Sequence, residues 1–96
     1  MSNFEGKVAL VTGAGSGMGR ATAIMFAARG AKVTVSDYVA EAADETVKTI
    51  REAGGQAIAI RTDVRVASQV EAMVKQTVDK FGRFDTAFNN AGKGSA

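Results

Sequence analysis

The sequence predicts an α/β fold built on a doubly wound parallel sheet. Four short β-branched runs alternate with three longer stretches of helical periodicity. Four glycines crowd the turn after the first run, and Asp37, Asp63 and the pair Asn89-Asn90 stand at the ends of the later runs. Polar groups collected at the carboxyl ends of strands are where ligands bind in such sheets.

Residues 7–12 (Lys-Val-Ala-Leu-Val-Thr) form a short apolar run ending at Gly13, the pattern of a buried strand. Residues 17–29 read as a helix with Met18, Ala21, Met25 and Ala28 at helical spacing, and this assigns Met25 to the core. Gly30 stops it, and residues 31–36 are the second strand. Residues 39–53 make a second helix with Ala43, Val47 and Ile50 on its apolar face and Asp44–Lys48 paired at i,i+4 on another. Gly54-Gly55 ends it, and residues 56–62 are the third strand. In the third helix Ser68 and Glu71 stand at capping-box spacing, with a start one or two residues earlier also compatible. Val70, Val74, Val78 and Phe81 are its expected buried stripe, and Gly82 closes it. Residues 84–89 are the fourth strand, followed by a small, Gly-rich tail.

A β-α-β-α-β-α-β order implies right-handed crossovers and a sheet order of 3-2-1-4. The crossover from the third strand to the fourth reverses direction. This places a topological switch point between the first and fourth strands, and a ligand is expected there.

Composition narrows the chemistry. Across 96 residues there is no Cys and no His, so disulfides, thiolate zinc sites, cysteine nucleophiles and imidazole bases are excluded, and no metal site is expected. Tyr38 is the single phenol. Twelve basic and ten acidic residues interleave without a basic patch, so no nucleic-acid partner is expected. No apolar stretch approaches bilayer length and no signal core opens the chain, so no membrane partner and a cytoplasmic location are expected.

The glycine loop Thr12-Gly13-Ala14-Gly15-Ser16-Gly17-Met18-Gly19 follows a strand and opens a helix. Glycine lets the backbone turn tightly and approach a phosphate, while the helix N-terminus offers unpaired N–H groups. A flexible strand-to-helix turn is the plain alternative. G-x-x-x-x-G-K-[ST] is absent because Arg20-Ala21 follows Gly19, and G-x-G-x-x-G fails in every register. What remains is T-G-x-x-x-G-x-G, carried by Thr12, Gly13, Gly17 and Gly19. With this loop the sequence closely resembles the short-chain dehydrogenase/reductase family. The joint pattern covers essentially residues 6–92.

The resemblance implies a Rossmann-type doubly wound parallel sheet, truncated to four strands and three helices, that binds a nicotinamide dinucleotide. Thr12, Gly13, Ser16, Gly17, Met18 and Gly19 would serve the phosphates, Met18 through its backbone N–H. Arg20 and Lys93 read equally as phosphate-attracting or as ordinary solvated charges. Asp37, eighteen residues after Gly19, can accept from both ribose hydroxyls and would repel a 2′-phosphate; as a lone residue it reads as a turn or cap. No basic residue lies in the loop before Gly19, and Tyr38 rather than a cation follows Asp37, which favours NAD over NADP. In the resembling family an Asp at the position of Asp63 binds the adenine amino group, and the backbone of the next residue, here Val64, contacts the ring. A strand-end Asp turn is the alternative. Asn89-Asn90-Ala91-Gly92 matches the family's N-N-A-G motif, which holds the central sheet together and lines the cofactor side, so Asn90, Ala91 and Gly92 join the expected site.

The family's catalytic Ser and Tyr-x-x-x-Lys groups have no counterpart here: position 42 is Ala, four after Tyr38, and Ser95 matches no catalytic serine. The expectation is therefore that residues 1–96 form an incomplete, N-terminal NAD-binding portion with no catalytic residues of its own. The alcohol or ketone substrate would bind only in a longer form. The fourth strand is expected to be an open edge, making the isolated chain marginal or self-associating. Two other readings compete. An S-adenosylmethionine-binding methyltransferase-like unit would use Gly13, Gly15 and Gly17 as G-x-G-x-G, and a non-catalytic interaction module would dock through the open edge.

Overall fold

A computed structural model describes residues 4–90. Its elements run β1 (Val8–Thr12), α1 (Gly17–Ala28), β2 (Lys32–Asp37), α2 (Ala40–Glu52), β3 (Gln56–Arg61), α3 (Ala67–Phe81) and β4 (Thr86–Asn89). The sheet order is β3-β2-β1-β4, and all three pairings are parallel, as the alternation predicts. Element ends differ from the sequence expectation by one or two residues.

Strand alternation sorts side chains between two faces. Ala9 and Val11 of β1, Val33 and Val35 of β2 and Ala57 of β3 join Ala23, Ala43, Val47 and Ile50 in one buried cluster under α1 and α2. Thr34 points the other way: its hydroxyl pairs with that of Thr77 on α3 at 2.9 Å, both residues being fully buried. Helices α1 and α2 therefore cover one face and α3 the other, the arrangement that makes a switch point between β1 and β4. Asp85 fixes the start of β4, since its backbone N–H donates to Val8 O at 3.0 Å and its carboxylate accepts Val8 N–H at 2.8 Å. Strand β4 is an edge of the described sheet.

The apolar face of α2 is buried as expected, with Ala43, Val47 and Ile50 all in the core. Two stripes need correction. In α1 the buried positions are Gly19 and Ala23, and Met25 is 39% exposed. At 3.6 residues per turn the expected Met18, Ala21, Met25, Ala28 row lies on nearly the opposite side of the helix. The reason is that α1 packs at Gly19 so closely that a Cβ would meet the Gly13 carbonyl, which turns that side, with the fully buried Ala23, inward and the methionine side outward. In α3 the buried residues are Met73 and Thr77, while Val78 is 39% exposed. The stripe is rotated because Thr77 satisfies its hydroxyl internally and can face the sheet.

The expected capping box does not form either. Helix α3 starts at Ala67, so Ser68 lies inside it, and the entry turn is held by Val66 N–H donating to Asp63 O at 3.0 Å. Among the described residues Asp44 and Lys48 are not within ion-pair distance, and the i,i+4 pair that closes is Lys75–Asp79 on α3, at 3.0 Å.

Candidate functional site

The loop from β1 to α1 is pinned from three directions. Ala14 N–H donates to Ser36 O of β2 at 2.9 Å, Thr46 Oγ1 of α2 donates to Ala14 O at 2.8 Å, and Gly15 N–H donates to Asp37 Oδ2 at 2.8 Å. Glycine is required for different reasons along it. A Cβ on Gly19 would run into the carbonyl of Gly13, and one on Gly15 into the Ala42 side chain and the Asp37 carboxylate. Gly17 has a φ of 57°, and its missing Cβ would face open space. Ser16, Gly17 and Met18 are exposed at the start of α1, where helix geometry leaves N–H donors without intrahelical partners. These are properties of a cradle for an anion: close-packed beneath, open above, lined with donors. Arg20 is turned away, its guanidinium donating to Thr49 Oγ1 of α2 at 3.2 Å.

Thr12 joins this cradle to β4. Its hydroxyl donates to Asn89 Oδ1 at 2.8 Å and accepts Asn90 N–H at 3.0 Å, and Asn90 Nδ2 donates to Gly13 O at 3.3 Å. The Asn pair thus clamps the switch point. Ala91 and Gly92 lie outside the described residues, as does Lys93. Beside the clamp, on the α3 side, an open apolar cleft of about 270 Å³ is walled by Leu10, Thr12, Val64, Met73, Phe84 and Asn89 among others.

At the end of β2, Asp37 serves both neighbours: Oδ2 takes the Gly15 N–H and Oδ1 the Val39 N–H, at 2.9 Å, in the turn leading to α2. The turn role and the site role coexist, and a carboxylate retains further lone pairs for ligand hydroxyls. Tyr38 is exposed beside it. The fold brings to its ring two cations that the linear neighbourhood of Asp37 does not reveal: the Arg61 guanidinium lies 4.8 Å from the ring centroid and that of Arg65 5.9 Å. Arg61 is the register partner of Asp37 across the β2–β3 pairing.

At the end of β3, Asp63 is held on every side. Its carboxylate takes a two-pronged bond from Arg65, Nε to Oδ1 and Nη2 to Oδ2, both 3.0 Å, and Oδ1 also accepts Arg65 N–H. Its own N–H donates to Gln69 Oε1 at 2.8 Å. The side-chain bond from Arg65 is the main cause that holds the Asp63 carboxyl below the usual carboxylate range, with the backbone bond adding to it. Sequence reading singled out Asp63 and Val64, used Gly15 in the alternative G-x-G-x-G reading but not in the dinucleotide set, and missed Thr46, Arg61, Arg65 and Gln69, whose signal lay in contacts across elements.

Hydrogen bonds thus tie the glycine loop to Asp37 at the end of β2 and to Thr12 and Asn90 at the ends of β1 and β4, while Arg65 links Asp63 after β3 to Tyr38 after β2. No group of three or more metal-binding side chains occurs among the described residues, and no helix there is long and apolar enough to cross a membrane. A doubly wound parallel sheet with a glycine-rich turn after β1 and carboxylates after β2 and β3 is the Rossmann-type fold, a class in which ligands bind at the switch point. The comparisons with known proteins carry this to the family. The short chain dehydrogenase profile matches residues 7–96, and the chain belongs to that family. An uncharacterized oxidoreductase of Thermotoga maritima is 53% identical over 90 residues, covering 94% of this chain and 35% of that protein. The 7alpha-hydroxysteroid dehydrogenase of Escherichia coli K12 is 44% identical over 91 residues, covering 95% of this chain and 36% of the relative. Among solved structures, a hydroxysteroid dehydrogenase from Escherichia coli superposes with a TM-score of 0.93 at 43% identity, covering 96% of this chain and 39% of that one. A 7α-hydroxysteroid dehydrogenase complexed with NADH and 7-oxo glycochenodeoxycholic acid superposes at 0.87 with 41% identity, covering 88% and 33%. The chain spans about a third of the length of these relatives.

Proposed function

We propose that this chain is the N-terminal, NAD-binding portion of a short-chain oxidoreductase that transfers hydride between an alcohol or ketone and nicotinamide. The observation that carries this reading is the Gly15–Asp37 bond, which sets a carboxylate at the rim of the anion cradle, where a ribose attached to a bound phosphate would lie. A nicotinamide dinucleotide supplies the hydride acceptor or donor. The residues that would hold it are Thr12, Gly13, Ser16, Gly17, Met18 and Gly19 at the phosphates, Asp37 and Tyr38 at the adenosine ribose, Asp63 and Val64 at adenine, and Asn90, Ala91 and Gly92 toward nicotinamide.

Preference for NAD over NADP rests on Asp37, whose charge opposes a 2′-phosphate; Arg61 and Arg65 near Tyr38 work in the other direction. The chain contributes no acid–base group to hydride transfer. Tyr38 stands just past β2 beside the guanidiniums of Arg61 and Arg65, whereas the switch point lies between β1 and β4. Self-association of this chain through the β4 edge of the described sheet is also proposed, and a monomer at every concentration in sedimentation equilibrium would refute it. Saturation-transfer NMR with NAD, NADP and S-adenosylmethionine tests the central reading: NAD is expected to give the strongest transfer, and preference for the methyl donor overturns it.

A further inference from the structure

We propose that Arg65 is a specificity-determining positioning residue that makes the site read the amino group of adenine. The proposal rests on the dinucleotide-binding reading above. The Asp63 side chain is only 16% exposed, whereas that of Arg65 is 79% exposed, so an outer residue holds an inner one. The guanidinium fork fixes the plane of the carboxylate, since both of its bonds must be planar with it.

Counting lone pairs shows what is left for a ligand. Oδ1 accepts twice, from Arg65 Nε and Arg65 N, and Oδ2 accepts once, from Arg65 Nη2. One acceptor position remains, on Oδ2, in an orientation set by Arg65. The low proton affinity of Asp63 keeps that position an acceptor throughout the neutral range. An acceptor with no proton to give matches the 6-amino group of adenine and mismatches the 6-oxo group of hypoxanthine. The same guanidinium lies 5.9 Å from the centre of the Tyr38 ring, and Arg61 lies 4.8 Å from it. The fork therefore sits between the base-reading carboxylate and the aromatic ring beside the Asp37 carboxylate.

The test is titration of the chain with NAD and with nicotinamide hypoxanthine dinucleotide, followed by NMR or calorimetry, together with a thermal melt. Wild type is expected to favour the adenine form by about tenfold, the discrimination one well-placed hydrogen bond provides. Arg65→Gln is expected to reduce that ratio to about threefold or less while the chain still melts cooperatively. Arg65→Lys, which keeps the charge and loses the fork, should not restore it. In an Asp63→Ala background, Arg65→Gln should leave the ratio where Asp63→Ala put it. An unchanged ratio in Arg65→Gln, full rescue by Lys, or an effect of Arg65 without Asp63 would each overturn the inference. Failure of the wild-type chain to bind NAD would instead remove the reading beneath it.

Discussion

The carboxylate of Asp37 accepts the backbone N–H of Gly15 at 2.8 Å, tying the end of β2 to the middle of the glycine loop. Asp37→Asn keeps the shape and an acceptor oxygen but removes the charge. Hydrogen bonds to charged groups contribute about 1.5–3 kcal/mol against about 0.5–1.5 for neutral ones, so NAD affinity is expected to fall roughly tenfold. NADP is expected to lose less or to gain, because repulsion of its 2′-phosphate disappears while Arg61 and Arg65 remain nearby. Competition titrations measure the ratio. An unchanged NAD/NADP preference would reduce Asp37 to a loop brace.

How far the sequence reveals this site depends on whether a role is written in local pattern or in contact across elements. Strand order and switch point were legible because the glycine loop, Asp37, Asp63 and the Asn pair each fall at a strand end. Helix α2 was legible because Ala43, Val47 and Ile50 are apolar among charged neighbours. Helix α1 was not: Gly-Met-Gly-Arg-Ala-Thr-Ala-Ile-Met-Phe-Ala-Ala is apolar on nearly all sides, so periodicity cannot choose a face. Close approach chooses it instead, at Gly19 and Ala23. Helix α3 was misread by part of a turn because Thr77 counts as polar until its partner Thr34 is seen. Arg65 was not singled out for the same reason: its partners Asp63 and Tyr38 are seen only in the fold.

Thr12→Val should uncouple β1 from the Asn pair. The hydroxyl both donates to Asn89 and accepts from Asn90 in two part-buried bonds, and Thr12 itself is only 4% exposed. Each such bond contributes about 0.5–1.5 kcal/mol, because the exposed Asn89 can turn to water once the hydroxyl is gone. Urea unfolding should show that loss, and the Asn90 amide should exchange faster in deuterium. Thr12→Ser should retain most of the protection. Equal exchange rates in wild type and Thr12→Val would show that the hydroxyl does not clamp the loop.

Acid should loosen β4 from β1. The Asp85 carboxyl is held below the usual range chiefly by the side-chain bond from Arg83, at 2.8 Å, and then by the backbone N–H of Val8. A carboxyl depressed in the folded state binds protons more readily when unfolded. Its stabilisation is therefore complete above the ordinary value of about 4 and is lost as pH falls through the lower folded value. Asp63 follows the same sign through Arg65. Melting temperature recorded from pH 6 down to pH 2 should fall less steeply in Asp85→Asn than in wild type. Parallel curves would show that the Asp85 contacts do not contribute.

The glycine loop offers a contrast between crowding and conformation. Alanine at Gly19 places a methyl group against the Gly13 carbonyl, which is backbone and cannot swing aside. Overpacking of this kind costs about 1–3 kcal/mol, and here it also pushes the loop away from the first turn of α1. Alanine at Gly17 meets no atom, yet must adopt a φ of 57°, a left-handed conformation that costs about 1–2 kcal/mol. Thermal melts should thus register both changes, with ligand binding separating them. Gly19→Ala is expected to abolish ADP-ribose binding because the cradle itself is displaced, whereas Gly17→Ala should retain weakened binding if the loop keeps its shape. Equal affinity for ADP-ribose in Gly19→Ala and wild type would mean that close packing of the loop on α1 is not what builds the phosphate site.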